Sequence, residues 1–458
     1  MVAITRSFRP YDPDQLLLLP VDLREWLPEG HLAYFLSDLV ETALDLSAIW
    51  KAYEGESRAY PAYHPAMMTK VLLYAYCTGV FSSRRMEKRL HEDVAFRVLA
   101  AQQTPDHKTI SEFRRRHLKA LQGLFQQVLL LCKKAGLVRL GHVALDGTKI
   151  QANASKHSAM SYGRMVEEER RLADEVAALL AEAERVDAEE DARYGDQRGD
   201  ELPKELQFRQ QRLAKIREAK AALEAEAREK AAAERKGTDS GGGDGGGGGT
   251  GQSATPTEAS VEEVQPDPKA QRNFTDPDSR IMRNADKAFV QAYNAQAAVD
   301  ADSQVIVATE VTNQAADSPH LASMVLQIQQ RLDRLPDELS ADAGYGSEAN
   351  LSWLQEQGIE AYVATGKFKH REDPQAPPPK EPKTPLRAAM AKKLRDPDAR
   401  SRYDLRKETV EPVFGQIKEA LGFRRFLLRG IEKVKAEWSL VCTAHNLRKL
   451  WVAAMANG

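Results

Sequence analysis

The sequence predicts an α/β protein: a mixed sheet with flanking helices, preceded by an all-α unit and interrupted by a long coiled helical hairpin. Three observations predict it. Residues 1–135 read as helical throughout, with apolar positions recurring at three and four in 31–46, 65–80 and 118–131. Short apolar or β-branched runs bounded by turn residues stand at 143–151, 288–299, 305–311, 338–343 and 360–365. Residues 162–236 are rich in Ala, Glu and Arg and keep heptad-type apolar spacing.

The chain has 458 residues and 42% hydrophobic content, enough for two or three domains with real cores. Its net charge of -2 gives no global positive field, so any polyanion must be met by local clusters of Lys and Arg. Residues 376–458 are such a region, with 18 Lys plus Arg against 9 Asp plus Glu, a net of +9; residues 162–236 hold 16 against 20. Cys77, Cys132 and Cys442 are far apart and lack paired metal-ligand spacing, which fits a reducing cytosol. No run approaches the ~20 apolar residues of a membrane span and the N-terminus lacks a signal-peptide layout, so a cytoplasmic protein without a membrane partner is expected.

In the first unit, residues 1–135, Thr104-Pro-Asp-His-Lys-Thr-Ile-Ser-Glu-Phe-Arg-Arg-Arg-His117 is a turn leading into a short helix that carries Arg114, Arg115 and Arg116. Ser82-Ser-Arg-Arg-Met-Glu-Lys-Arg89 starts a second basic helix. Together they suggest a helix-turn-helix-like pair for a DNA groove; the alternative is a solvated basic face. Next, Val143-Ala-Leu-Asp-Gly-Thr-Lys-Ile-Gln151 is a strand interrupted by Asp146, which is either a turn residue beside Gly147 or a metal ligand.

The pattern then leaves the sheet. Met165, Leu172, Val176, Leu179, Ala183 and Val186 mark one helical arm, and Leu206, Leu213, Ile216, Leu223 and Ala227 an antiparallel second. Residues 194–203, with two glycines and a proline, supply the turn, and 156–236 read as an insertion. The following glycine-rich stretch, within 237–269, cannot bury a core and reads as a disordered linker; it has no GxxxxGK[ST] phosphate-loop pattern. Strand signals resume with an antiparallel hairpin at 288–299 and 305–311, then a helix at 318–332, a strand ending in Asp342, a helix at 347–357 and a strand at 360–365. Residues 136–155 and 270–458 thus form one sheet domain.

The stretch Tyr403-Asp-Leu-Arg-Lys-Glu-Thr-Val-Glu-Pro-Val-Phe-Gly-Gln-Ile-Lys418 completes the pattern. Proline is tolerated in a first helical turn but not deep in a helix, so Pro412 predicts a start at Thr409 as N-cap, an end near Gly422, and Tyr403 and Arg406 before the helix. Glu411 and Lys418, seven residues apart, then share a face. Alone they would be an ordinary surface pair. With Asp146 and Asp342 at strand ends, where open sheets gather functional groups, three carboxylates can converge. Such a set suits Mg²⁺, a hard ion that prefers oxygen ligands, and two such ions support in-line phosphoryl displacement.

These residues resemble the DDE transposases of bacterial insertion sequences, of the type with an all-α N-terminal domain. The likeness is carried by Ala144-Leu-Asp-Gly-Thr-Lys-Ile-Gln-Ala-Asn-Ala-Ser155, Asp276-Pro-Asp-Ser-Arg-Ile-Met282, Tyr293-Asn-Ala-Gln296, Ala341-Asp-Ala-Gly-Tyr-Gly346, the Tyr403 stretch and Gly422-Phe-Arg-Arg-Phe-Leu-Leu-Arg-Gly430. The resemblance implies a ribonuclease H-like catalytic fold in which Asp146, Asp342 and Glu411 are catalytic and hold two Mg²⁺ ions, with Mn²⁺ as a substitute. It implies DNA contacts from Tyr403, Arg406, Lys418, Arg424, Arg425 and Arg429. The family signature places three residues between its Arg and Glu; here four separate Arg406 from Glu411. The implied activity is binding of terminal inverted repeats on double-stranded DNA, phosphodiester hydrolysis and strand transfer to target DNA, by a homodimer on DNA. The alternatives are a nuclease of the same fold without strand transfer, a non-catalytic DNA-binding regulator, and a coiled-coil interaction protein.

Overall fold

The computed structural model describes residues 25–53, 62–194, 204–239, 264–284, 287–366 and 382–457. The expected turn at 195–203 and most of the expected glycine-rich linker, 240–263, lie outside the described residues. The chain forms two compact units, one of Met1–Val128 with Leu447–Gly458 and one of Leu129–Asn446.

The first unit is helical among its described residues: α1 (Leu32–Thr42), α2 (Ser47–Trp50), α3 (Pro65–Cys77), α4 (Ser83–Glu92), α5 (Val94–Leu99), α6 (His107–Arg116) and the start of α7 (Leu118–Lys134). α3 is buried along nearly its whole length, because Met67, Val71, Leu72, Tyr76 and Cys77 leave it no polar face. Asp106 caps α6 by accepting the Thr109 N–H at 2.7 Å. The two basic helices are not joined by a simple turn, since α5 stands between them in sequence. α4 and α6 meet instead through His107 Nδ1 and Glu87 Oε2, 2.8 Å apart.

In the second unit the strands are β1 (His142–Gln151), β2 (Ala159–Ser161), β3 (Gln271–Asn273), β4 (Arg280–Arg283), β5 (Phe289–Asp300), β6 (Ile306–Thr312), β7 (Glu338–Ala341) and β8 (Glu360–Val363). The helices are α8 (Tyr162–Tyr194), α9 (Lys204–Asp239), α10 (Leu321–Leu332), α11 (Glu348–Glu356), α12 (Pro385–Lys393), α13 (Pro397–Gly415) and the start of α14 (Ile431–Asn457). β5 pairs antiparallel with β1 on one side and with β4 and β6 on the other, while β7 is parallel to both β1 and β8. Parallel neighbours need a crossover, and α11 supplies it between β7 and β8. The sheet is covered on both faces: Glu310 on β6 accepts from Ser323 of α10 at 2.9 Å, while the adjacent Thr309 meets Cys442 of α14 at 3.5 Å. All three cysteines are buried and none forms a disulfide.

Between β1 and the rest of the sheet the chain makes the two long helices. Met165 and Leu172 of α8 pack with Leu213, Ile216 and Leu223 of α9, the expected heptad positions, around Tyr162. Glu169 ties the arms by accepting from Arg217 at 3.0 Å and Lys220 at 2.9 Å. β2 and β3 pair antiparallel where the chain leaves and rejoins.

One expected boundary is overturned. α13 begins at Pro397, twelve positions before Thr409, with Asp396 capping the Asp398 and Ala399 N–H groups at 3.0 and 3.2 Å. Pro412 therefore lies inside the helix and Thr409 is a buried interior residue, its hydroxyl donating to the Leu405 carbonyl. A proline there costs about 3 kcal/mol and leaves the carbonyl four residues back unpartnered. That carbonyl, on Glu408, accepts from Gln304 Nε2 at 2.8 Å, and the bond offsets about 1 kcal/mol of the cost. Burial of Val410, Val413 and Phe414 on the same turns supplies the rest. The helix continues as a π-turn, Gln416–Ala420, and the chain reverses at Gly422 with φ 75°, as expected from glycine there.

Candidate active site

After His142, β1 runs as a buried apolar stretch over 143–145, and Asp146 is the polar side chain that ends it. Its Oδ1 accepts the Gly147 N–H at 2.8 Å, and its Oδ2 accepts from Arg406 Nη1 at 2.7 Å. Arg406 Nη2 reaches Glu411 Oε1 at 3.1 Å. One guanidinium thus bridges two of the three expected carboxylates. The residue counted as extra in the Arg-to-Glu spacing does not part them, because both project from one continuous helix. Asp342 follows β7 directly, in register beside Asp146, and caps the turn Ala343–Tyr345 by accepting the Gly344 N–H at 2.8 Å.

Burial pushes the Asp146 carboxyl up to about 7 in spite of Arg406, with Asp342 adding to the rise. Burial likewise raises Asp342, reinforced by Asp317. Both shifts are those of carboxylates gathered in a poorly solvated crevice. Glu411 sits at its mouth, with half of its side chain exposed. Lys418, in the π-turn, bonds the Thr148 hydroxyl on β1. Tyr403 is only 6% exposed and packs with Tyr362, Ala364 and Leu394, with the Arg406 guanidinium 5.9 Å from its ring centre.

The basic loop after α13 runs alongside the end of β1. Gln151 bridges to Arg425, and its side-chain oxygen accepts from Arg425 Nη2 at 3.0 Å. Arg429 Nε donates to the Asn153 carbonyl at 2.9 Å, and Arg424 pairs with Glu419. All three arginines are exposed. Their loop is held from beneath: buried Glu437 accepts the Leu427 and Leu428 N–H groups, while Asp276 and Asp278 accept those of Gly430 and Ile431 at 3.1 and 2.8 Å. The last two also cap α14, which gives the Asp-Pro-Asp motif a structural task.

In the first unit the three arginines of α6 separate. Arg114 is 5% exposed and donates to the Tyr76 hydroxyl and the Phe81 carbonyl at 3.2 and 3.1 Å. Arg116 bonds the Ala52 carbonyl and lies over the Tyr53 ring. Only Arg115 points to solvent, beside Glu112. On α6 the expected basic face therefore reduces to one exposed arginine, the other two being taken up by packing, while α4 exposes Arg84, Arg85, Lys88 and Arg89.

The sequence did not single out Asp317. Its Oδ1 accepts from Lys149 Nζ at 3.1 Å, Asn294 Nδ2 at 2.7 Å and Gln296 Nε2 at 2.9 Å. Gly147 is what admits it: a Cβ there would stand 2.6 Å from that oxygen and 2.4 Å from Gln296 Nε2. Among the described residues no three acidic, histidine or cysteine side chains are drawn close enough to hold an ion in this conformation, since Arg406 stands between Asp146 and Glu411.

The architecture is thus that of a mixed α/β protein whose central strand and its parallel neighbour carry acidic residues under a helix that adds a third. Two family models match the chain: Transposase domain (DUF772) over residues 21–116, and Transposase DDE domain over residues 379–451. These matches support an insertion-sequence DDE transposase with an N-terminal domain. The first match spans the helical unit through α6, and the second contains Tyr403, Arg406, Glu411 and Lys418. No curated protein and no solved structure gives a match. No helix among the described residues is long and apolar enough to cross a membrane.

Proposed function

We propose that this transposase binds the terminal inverted repeats of its element, cuts a phosphodiester bond at each end and joins the freed 3′-hydroxyl to target DNA, with Asp146, Asp342 and Glu411 as the catalytic and metal-holding residues. The observation that carries this reading is the meeting of Asp146 and Glu411 on one guanidinium, with Asp342 beside Asp146 across the β1–β7 pair. The strand order β6-β5-β1-β7-β8, with one antiparallel and one parallel half, supports a ribonuclease H-like fold, and α8 with α9 is then an insertion between its first two main strands.

The donors fit a hard divalent cation. They are carboxylate oxygens, the ligands such an ion prefers. Two Mg²⁺ ions, or Mn²⁺ in their place, would supply activation of the attacking oxygen and stabilisation of the leaving one. The chain's own cations do the remaining work. Arg406 balances Asp146 and Glu411 until DNA arrives, and its planar guanidinium suits a phosphate thereafter. Tyr403 supports Arg406 from below. Lys418, Arg424, Arg425 and Arg429 line the path past β1 and would hold the DNA backbone, and Arg115 would do so from the N-terminal domain, residues 1–135. Two ends must be handled together, so a homodimer on DNA in the bacterial cytoplasm is part of this reading.

The test is incubation with supercoiled DNA carrying the element's own ends. Cut ends and joined products are expected with Mg²⁺ or Mn²⁺, and neither with chelator. Cutting without any joined product would favour the nuclease reading. Binding without cutting would favour the regulator.

A further inference from the structure

We infer that Asp317 is a positioning residue of the active site, bracing from behind both the strand that carries Asp146 and the turn that carries Asp342; the inference rests on the catalytic reading above. Side chains alternate along β1. Asp146 and Thr148 face α13 and the π-turn that continues it, where they meet Arg406 and Lys418, so Gly147 and Lys149 face the opposite side. Asp317 lies on that opposite side. Its Oδ1 collects Lys149 from β1 and Asn294 and Gln296 from β5, residues paired directly across the two strands with Lys149 and Gly147.

The same residue reaches the Asp342 turn by two routes. Gln296, held by Asp317 through its amide nitrogen, accepts from the Tyr345 hydroxyl through its oxygen, and Tyr345 is fully buried three residues after Asp342. Asn350 donates to the Ser318 carbonyl at 2.9 Å and to the Tyr345 carbonyl at 2.9 Å, so the chain on either side of Asp317 and Asp342 is tied. Gly344 leaves room for the contact: a Cβ there would stand 2.9 Å from Asp342 Oδ1 and 3.1 Å from Asp317 Oδ2. Two glycines, one directly after Asp146 and one two residues after Asp342, therefore open onto one carboxylate. An ordinary surface turn would need neither. Groups that orient ligating carboxylates commonly change metal affinity by a factor of 10 or more when removed.

The test compares Asp317→Asn and Gly147→Ala with wild type and with Asp342→Asn, in the full chain. Asn keeps an acceptor for the three donors but loses the charge opposite Lys149, and the Gly147 variant displaces Asp317 without altering it. For both, cutting at saturating DNA should fall on the order of tenfold with the affinity for DNA ends unchanged. The Mn²⁺ concentration that half-saturates the DNA-free protein, read from the signal of free Mn²⁺ in electron paramagnetic resonance, should rise on the order of tenfold. Wild-type rates and Mn²⁺ binding in both variants would overturn the inference while Asp342→Asn remained inactive. A lost rate accompanied by a lowered melting temperature and unchanged Mn²⁺ binding would also overturn it, leaving Asp317 as fold support. If Asp342→Asn itself cut DNA normally, it is the catalytic reading that would fall.

Discussion

Replacing Asp342 by Asn is expected to slow DNA cutting by roughly a thousandfold, about 4 kcal/mol of barrier, while the protein stays folded and still binds DNA ends. The amide has the same shape and can still accept the Gly344 N–H, so the turn Ala343–Tyr345 persists. What it loses is the negative charge, and a neutral amide is a far poorer partner for a hard dication. The carboxylate is half-buried and gathered with other acids, so its loss relieves repulsion in the DNA-free protein. The variant should therefore melt no lower than wild type without metal. Unfolding with and without Mg²⁺, set beside cutting rates, checks this: metal should raise the wild-type midpoint and leave that of the variant unchanged.

Removing Arg406 should move two readouts in opposite directions. The guanidinium sits between Asp146 and Glu411 and uses their oxygens, so a divalent cation must compete with it for them. In Arg406→Gln the DNA-free protein should bind Mn²⁺ about tenfold more tightly, the competing charge being gone. Cutting should nevertheless fall by about a hundredfold, since a preorganised cation for the DNA phosphate is lost. Stability without metal should drop by only about 1 kcal/mol near neutral pH, because Asp146, already raised to about 7, takes up a proton when its partner is removed. Weaker Mn²⁺ binding in this variant would mean that Arg406 supports the carboxylates rather than competing for them.

Much of this site was legible in the sequence because charge and periodicity conflict there. Asp146 interrupts an apolar run and Asp342 ends one, and those two conflicts are what singled them out. The start of α13 was misread because the proline rule was applied to the helix alone. Gln304, far away in sequence, takes up the carbonyl that Pro412 abandons, and no local pattern reveals such a partner. A local signal did exist in Asp396-Pro397-Asp398, an N-cap followed by proline at the first helical position. Arg114 could also have been placed inside, since it shares the three-and-four spacing of Ile110, Phe113 and His117, all buried. Asp317 was hidden for a different reason. It lies in a polar stretch before α10 that reads as an ordinary turn, and its importance comes only from the strands that converge on it.

The most direct test of the central claim is to load the protein with Fe²⁺ in place of Mg²⁺ and map where locally generated hydroxyl radicals cut its own backbone. Cuts clustered beside Asp146, Asp342 and Glu411, suppressed by excess Mg²⁺ and lost in Asp342→Asn, are the predicted result. Cuts elsewhere in the chain, or cuts at those positions that persist in Asp342→Asn, would contradict a shared metal site.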